Sequence, residues 1–344
     1  MKKLILAAAA LVFSMQVASA QDMTPRETTL YEAARKEGAL TWYVAQFTTE
    51  TADAIGRAFT KRYPGVGINV IRATGQVVYS RLVQDLRAGV AQCDVFSGTG
   101  LAQLVELKQN KSLLHFTPEN AEKLNRQFIG FDPDGYYHAN HFDPVVMIYN
   151  TNLLKGADIP TNWTALTDPK MKGRISLGHP GFSGQAGEWA ALMRKLYGDD
   201  FFKTLAKQDP MVGRSMSDPL AVLTAGERAL GATTLSQPQT AARAGNPIGV
   251  IYPKDGVKLT PFATAIPVNT QHPNAAQLFV NYLLSKDLWE ILVRDYSYLP
   301  IRSDVKPLPG AKSLDEMVVA PLTTEEVVTK VPEVIEIWQE TFGG

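Results

Sequence analysis

The chain has 344 residues, 45% of them hydrophobic, and its 34 basic side chains balance 34 acidic ones. A near-neutral chain offers no broad electrostatic footprint for nucleic acid or an anionic membrane, and a single cysteine, Cys93, excludes an internal disulfide. The length exceeds what one hydrophobic core usually serves, so two lobes are expected.

Residues 1–20 read as a secretory leader. Lys2 and Lys3 give the charged start, Leu4 to Phe13 the apolar run, and Ala18-Ser19-Ala20 the small-residue cleavage site. The run falls short of the about 20 apolar residues that a membrane span needs. Gln21, not cysteine, follows Ala20, so no lipid anchor is indicated. The expected product starts near Gln21 and diffuses in a periplasm as a monomer, with 32 basic residues left against 34 acidic ones.

Helix-like and strand-like segments then alternate. Glu32 to Glu37 is a short polar helix stopped by Gly38, and Ala39 to Val44 a buried strand. Thr48 or Thr49 can cap a helix through Arg62 with Ala52, Ile55 and Phe59 on one face. Ile68 to Ile71 is the second strand, and Val78, Leu82 and Leu86 mark a helix that Gly89 ends. Asp94 to Phe96 is a third strand with Cys93 at its entry, a small core hydrophobe. A helix through Leu107 follows. This order predicts a parallel sheet with helices on its faces, in which ligands bind at the carboxyl ends of strands. The candidate site residues are therefore Gln46, Phe47 and Thr48 after the first strand, Thr74 and Gly75 after the second, and Ser97, Gly98 and Thr99 after the third. Amides and hydroxyls at helix starts suit an anion or a hydroxylated solute; the alternative for each loop is simple helix capping.

The second half repeats the style. Strands are expected at Val145 to Asn150, Gly173 to Leu177, Gly231 to Thr234, Ile248 to Tyr252 and Ala263 to Val268. Helices are expected at Ala186 to Tyr197, Ala221 to Ala225, Ala275 to Leu284, Leu288 to Val293 and Glu325 to Phe342. Phe182, Ser183 and Gly184 lie between a strand and a helix start, where N–H groups and a hydroxyl can hold a carboxylate, phosphonate or phosphate. His179 adds a donor or a pH-sensitive charge. Thr234 stands at the next strand end. Tyr137, Phe47, Phe182 and Tyr252 offer rings for an apolar part of the solute. Arg72 and Arg214 are possible counter-charges, with surface exposure as the alternative.

Catalytic and metal chemistry leave little trace. Ser183 lacks a G-x-S-x-G elbow, and neither a P-loop nor G-x-G-x-x-G occurs. His138, His141 and Asp143 are close in sequence, but their segment reads as extended, and no H-E-x-x-H or Cys-rich pattern exists. The expectation is no enzyme, no cofactor and no metal.

An ordered series of segments carries a family likeness: "RLVQDLRAGVAQCDVF" from Arg81, Tyr149-Asn150-Thr151, "NWTALTDPKMKGRISLGHPGFSG" from Asn162, "AGERALGATT" from Ala225, "IYPKDG" from Ile251, "AAQLFVNYLLSKDLWEIL" from Ala275 and the ending "EVIEIWQETFGG". The series resembles the periplasmic solute-binding proteins of ABC importers, in the branch of ferric-iron, 2-aminoethylphosphonate and sugar-phosphate binders. The resemblance implies a type II, two-lobed α/β fold, each lobe a mixed, mostly parallel sheet flanked by helices. It also implies hinge closure around a solute and delivery to a permease and ATPase in the inner membrane. Lobe 1 is expected at 21–138 plus 260–310, lobe 2 at 139–259 plus 311–344, with the C-terminal helix on the second lobe. Ser217, ahead of the helix starting near Pro219, is site-facing in the family. Iron-binding members use a His, a Glu and a Tyr pair where this chain has Phe47, Thr99, Ser236 and Gln237, and ferric iron favours anionic oxygen donors. The expected solute is thus a small organic anion. Ferric iron held by other ligands, or a sensory protein presenting its ligand to a membrane receptor, are the alternatives.

Overall fold

The computed structural model describes residues 23–343 apart from Thr260, and the leader expectation lies outside the described residues. Thr24 caps α1 (Pro25–Glu37), which Gly38 ends at φ 81°. Then follow β1 (Ala39–Val44), α2 (Thr49–Arg62), β2 (Gly67–Arg72), α3 (Gly75–Arg87), β3 (Val95–Gly98), α4 (Leu101–Gln109), β4 (Tyr137–Phe142) and β5 (Val145–Asn150). The second half holds β6 (Ile175–Gly178), α5 (Gly184–Tyr197), α6 (Asp200–Ala206), β7 (Met211–Gly213), α7 (Asp218–Thr224), β8 (Leu230–Thr234), α8 (Ser236–Arg243), β9 (Ile248–Ile251), β10 (Val257–Lys258) and β11 (Pro261–Ala265). It ends with α9 (Pro273–Leu283), α10 (Lys286–Tyr296), β12 (Val319–Ala320) and α11 (Thr324–Phe342).

Two sheets form. The first runs β2-β1-β3-β11-β4, and the second runs β12-β10-β5-β8-β6-β7 with β9 also paired to β5. In the first, β1 is parallel to β2 and β3, while β11 inserts antiparallel between β3 and β4. Helices cover both faces, so β1 is buried almost throughout, and Trp42, Phe59 and Phe279 pack edge to face beneath α2 and α9 at centroid distances of 5.0 Å. Such aromatic pairs favour tilted and T-shaped geometry. The second lobe packs Trp163 against Trp189, and Trp338 of α11 against Phe202.

The first crossing between the sheets consists of Asp143 and Pro144 alone, because β4 pairs with β11 from Tyr137 through Phe142. An expected boundary at residue 138 therefore moves to the end of β4. The return runs from Lys258 of β10 to Pro261 of β11, and the segment after α10 crosses a third time to reach β12. The C-terminal helix α11 packs on α5 and α6 of the second lobe and also touches α4 of the first. It thus bridges the lobes instead of belonging to one.

The hinge region is buried and aromatic. His141 of β4 is stacked between Phe47, at 4.6 Å, and Phe262, at 4.2 Å, with Tyr298 at its edge. Neither ring nitrogen has a partner, and burial lowers its pKa from 6.5 to about 3. Next to it, Asp143 accepts from the Ser236 amide at 3.0 Å and the Ser236 hydroxyl at 2.5 Å, while burial raises its pKa to about 6.

These shifts act on stability in opposite directions. The folded state holds His141 neutral, so the unfolded chain binds more protons at that group and stability falls as pH drops from 6.5 towards 3. Asp143 binds its proton more tightly when folded, so its effect is lost as pH rises from about 4 to about 6. Replacing His141 by Phe keeps the stack and removes the first effect. Urea unfolding of His141→Phe between pH 7 and pH 4 is expected to show a shallower acid loss than the parent, by about 1–3 kcal/mol; equal slopes would show that His141 does not titrate on unfolding in this range.

Candidate functional site

The rim of the first lobe is built from the ends of β1, β2 and β3. Buried Gln46 donates to the carbonyls of Gly98, at 2.9 Å, and Ala263, at 2.6 Å, and accepts from Asn140 at 2.8 Å. It ties the β1 end to β3, β11 and β4, and both its amide protons are spent. Ser97 is likewise spent: its hydroxyl receives the Trp42 indole N–H at 2.8 Å and pairs with Thr264. Phe47 points its ring into the stack with His141, Trp42 and Tyr298. Gly98 lies over Phe96, where a Cβ would stand 2.8 Å from the ring. These four build the rim.

Other residues of that rim remain exposed to a partner. Thr48 caps α2, its Oγ1 accepting from the Thr51 amide at 3.2 Å. Thr74 holds the capping position of α3 without making a cap bond, and its buried hydroxyl has no partner. Arg72, at the end of β2, donates through Nε to the Phe47 carbonyl at 3.1 Å. Thr99 leans on Gly75, where a Cβ would be 2.2 Å from its Oγ1.

The second rim comes from the ends of β6, β7 and β8. After β6 the chain turns through His179 to Gly184. The His179 Nδ1 accepts from the Gly181 amide at 3.0 Å, and its ring faces Trp338 of α11, so it shapes the turn from behind. Ser183 caps α5 by accepting from Ala186 at 3.4 Å. Arg214, after β7, lies over the Phe182 ring at 4.7 Å. Ser217 accepts from the Gln237 side-chain amide at 2.8 Å, and Thr234 ends β8, opposite Val145 of β5.

Two expected residues are not brought to the rims. Tyr137 sits at the far end of β4, level with Phe96, against Phe131 and below Lys108. Tyr252 takes a hydrogen bond from Gln239 at 3.2 Å and lies under Lys312. Strand direction explains the first: β4 runs towards the hinge, so only its carboxyl end reaches the cleft. Sequence reasoning missed Glu188 and Lys258, buried polar residues facing the interlobe contact.

The rims touch. The Gly184 amide donates to Thr99 Oγ1 at 3.2 Å, the Gln76 amide approaches the Phe182 carbonyl at 3.5 Å, and the Leu101 amide approaches Glu188 Oε1 at 3.4 Å. A hollow of about 80 Å³ lies beside this contact, lined in part by Gln76, Gln103, Phe182, Ser183 and Val331. Glycine is required at 184 because a Cβ there would lie 2.5 Å from the Thr99 carbonyl and 2.6 Å from Gly100. His138 is bonded to the Phe116 carbonyl at 2.6 Å, and among the described residues no group of three His, Cys, Asp or Glu is placed to hold a metal. Cys93 is buried, with burial raising its thiol pKa.

Two α/β lobes on three crossing segments, with helix starts facing each other between them, define a type II solute-binding protein. Residues 54–318 match the model of the bacterial extracellular solute-binding protein family, and the chain belongs to that family. It is a substrate-binding transport protein and not an enzyme. A spermidine/putrescine-binding periplasmic protein of Escherichia coli is 25% identical over 86% of this chain and 82% of its own. The periplasmic binding protein AfuA of Actinobacillus pleuropneumoniae, solved with fructose-6-phosphate, superposes with a TM-score of 0.80 at 22% identity, covering 89% of this chain and 98% of its own. Iron-bound HitA of Pseudomonas aeruginosa does so at 0.75 and 20% identity, covering 88% and 99%. At these identities the structural likeness establishes the fold alone.

Gly184→Ala should hold the lobes apart. Solution X-ray scattering of the variant is expected to give a larger radius of gyration than the parent under every condition in which the parent is compact. Superimposable curves would mean that the Thr99–Gly184 approach does not form in solution.

Proposed function

We propose that this protein captures a small organic anion (a carboxylate, phosphonate or phosphate ester) in the periplasm, as a monomer, and hands it to an ABC permease and its ATPase. One observation carries the choice of an anion. Arg72 and Arg214 stand on opposing rims, and neither makes an ion pair among the described residues. Arg72 is the more telling of the two. Its guanidinium is partly desolvated, which lowers its pKa, and the acidic group that acts on it is Asp218 at the start of α7 in the other lobe. A half-buried guanidinium in the crevice, fixed through Nε by the Phe47 carbonyl, keeps its two terminal nitrogens for a planar oxyanion.

The helix starts add to this. α3 and α5 begin at the rims, and a helix start favours negative charge. Thr48, Thr74, Thr99, Ser183, Gly184, Ser217 and Thr234 are the site residues that this reading retains. A polyamine would meet the guanidinium groups of Arg72 and Arg214, neither held in an ion pair among the described residues. Ferric iron would lack the clustered anionic oxygens it favours.

Thermal-shift measurements against carboxylates, phosphonates, sugar phosphates, spermidine and ferric salts separate these solutes. The expected result is stabilisation by an anion class and none by spermidine. Arg72→Gln should then weaken that anion by about tenfold to a hundredfold, since a hydrogen bond to a charged group contributes about 1.5–3 kcal/mol. Stabilisation by spermidine or ferric salts alone would refute the anion reading. Stimulation of the permease ATPase by the loaded protein tests delivery against sensing.

A further inference from the structure

A buried ion pair lies at the contact between the lobes, and the solute reading above makes no use of it. Lys258 Nζ is 2.5 Å from Glu188 Oε2, and both side chains are 1% exposed. Lys258 also donates to Gln185 Oε1 at 2.7 Å. Glu188 and Gln185 belong to α5, and Lys258 to β10, immediately before the return crossing. All three are in the second lobe. The other oxygen of Glu188 faces outwards: it lies 3.4 Å from the amide of Leu101, the first residue of α4 in the first lobe.

We infer that Glu188 is a positioning residue for solute capture, a latch that holds the lobes together through protein atoms alone. Lys258 keeps the carboxylate in place inside the second lobe. The carboxylate then meets the start of α4, where the amides are free and the helix dipole favours a negative charge. No named contact of this latch includes a solute atom, so it operates for any solute and does not rest on the anion reading. The placement of Lys258 ties the pair to the hinge, because β10 ends there and β11 of the first sheet begins at Pro261. The latch implies that compact molecules exist in solution before capture, and that solute adds to a closure already favoured.

The contact can be removed from either lobe. Leu101→Pro deletes the donor at the first helical position, where proline is accommodated, and Gly100 already has the extended backbone that precedes a proline, at φ −116° and ψ 119°. Glu188→Leu with Lys258→Met replaces the pair by apolar groups, a change that buried ion pairs often tolerate without loss of stability. Glu188→Gln with Lys258→Met keeps an acceptor towards Leu101 and serves as the rescue. The full-length secreted chain, stripped of carried solute by unfolding and refolding, is examined by solution X-ray scattering.

The parent and the Gln/Met variant are expected to contain compact molecules. Leu101→Pro and the Leu/Met variant are expected to expand, with the closed-to-open ratio down about tenfold. A solute-free parent that is already fully expanded overturns the latch. So does compaction that is identical in all four proteins, or a Gln/Met variant as expanded as the Leu/Met one. If one of the two disrupting variants does not fold, the other decides. None of these results depends on which solute binds, so failure of the latch leaves the anion reading intact.

Discussion

Only two residues, Asp143 and Pro144, separate the last position of β4 in one sheet from the first of β5 in the other. That shortness governs the molecule. With two residues between them, the last Cα of β4 and the first of β5 are at most about 10 Å apart, so the carboxyl ends of the first sheet's parallel strands must lie close to the second sheet. Pro144 restricts one backbone angle of the crossing, and Asp143 is held by the Ser236 amide and hydroxyl at the start of α8. The hinge is therefore anchored to the second lobe. Bending has to be taken up on the β4 side and in the two other crossings.

Polar groups around the cleft fall into two populations with different physical roles. Gln46, Ser97 and Asp143 are saturated by long-range partners, and their hydrogen bonds join strands distant in sequence. Buried polar groups of this kind are costly when unpaired, so each fixes the register of the strands it joins. Thr74 and the terminal nitrogens of Arg72 are the opposite case, placed at a rim by the backbone and left without a partner among the described residues. The first population makes the second possible. Arg72 can present its fork because the carbonyl that holds it belongs to Phe47, whose ring is locked against His141.

The alternation of the first hundred residues made the parallel β2-β1-β3 arrangement legible, because both faces of those strands are covered and apolar runs separate amphipathic helices. The two- and three-residue strands β7, β10 and β12 carry no periodicity and could not be read. Loop composition marked the right rims, but not which side chains are free within them. Gln46, Phe47 and Ser97 have the residue types of a binding loop and are consumed by partners 52 to 217 positions away in the case of Gln46 and Ser97. Glu188 and Lys258 are 70 residues apart, and nothing in the sequence pairs them; only their joint burial gives them meaning. Tyr137 was misplaced because strand direction, which decides the end that faces the cleft, depends on the antiparallel insertion of β11.

A solute-binding protein has to hold two demands in balance. Molecules that are open at the moment of encounter admit solute, while the closed form sets affinity, and apparent affinity depends on how much each form is populated. Three features of the interlobe contact favour a shallow balance. The Glu188–Leu101 approach is long at 3.4 Å, the Gly184–Thr99 bond is a neutral one at 3.2 Å, and the glycine leaves no side chain to interlock there. Bonds of that kind contribute about 1 kcal/mol each, enough to bias closure and too little to lock it. The small polar tips are therefore as much a requirement of release as of capture, because a weak contact between the rims lets the cleft reopen.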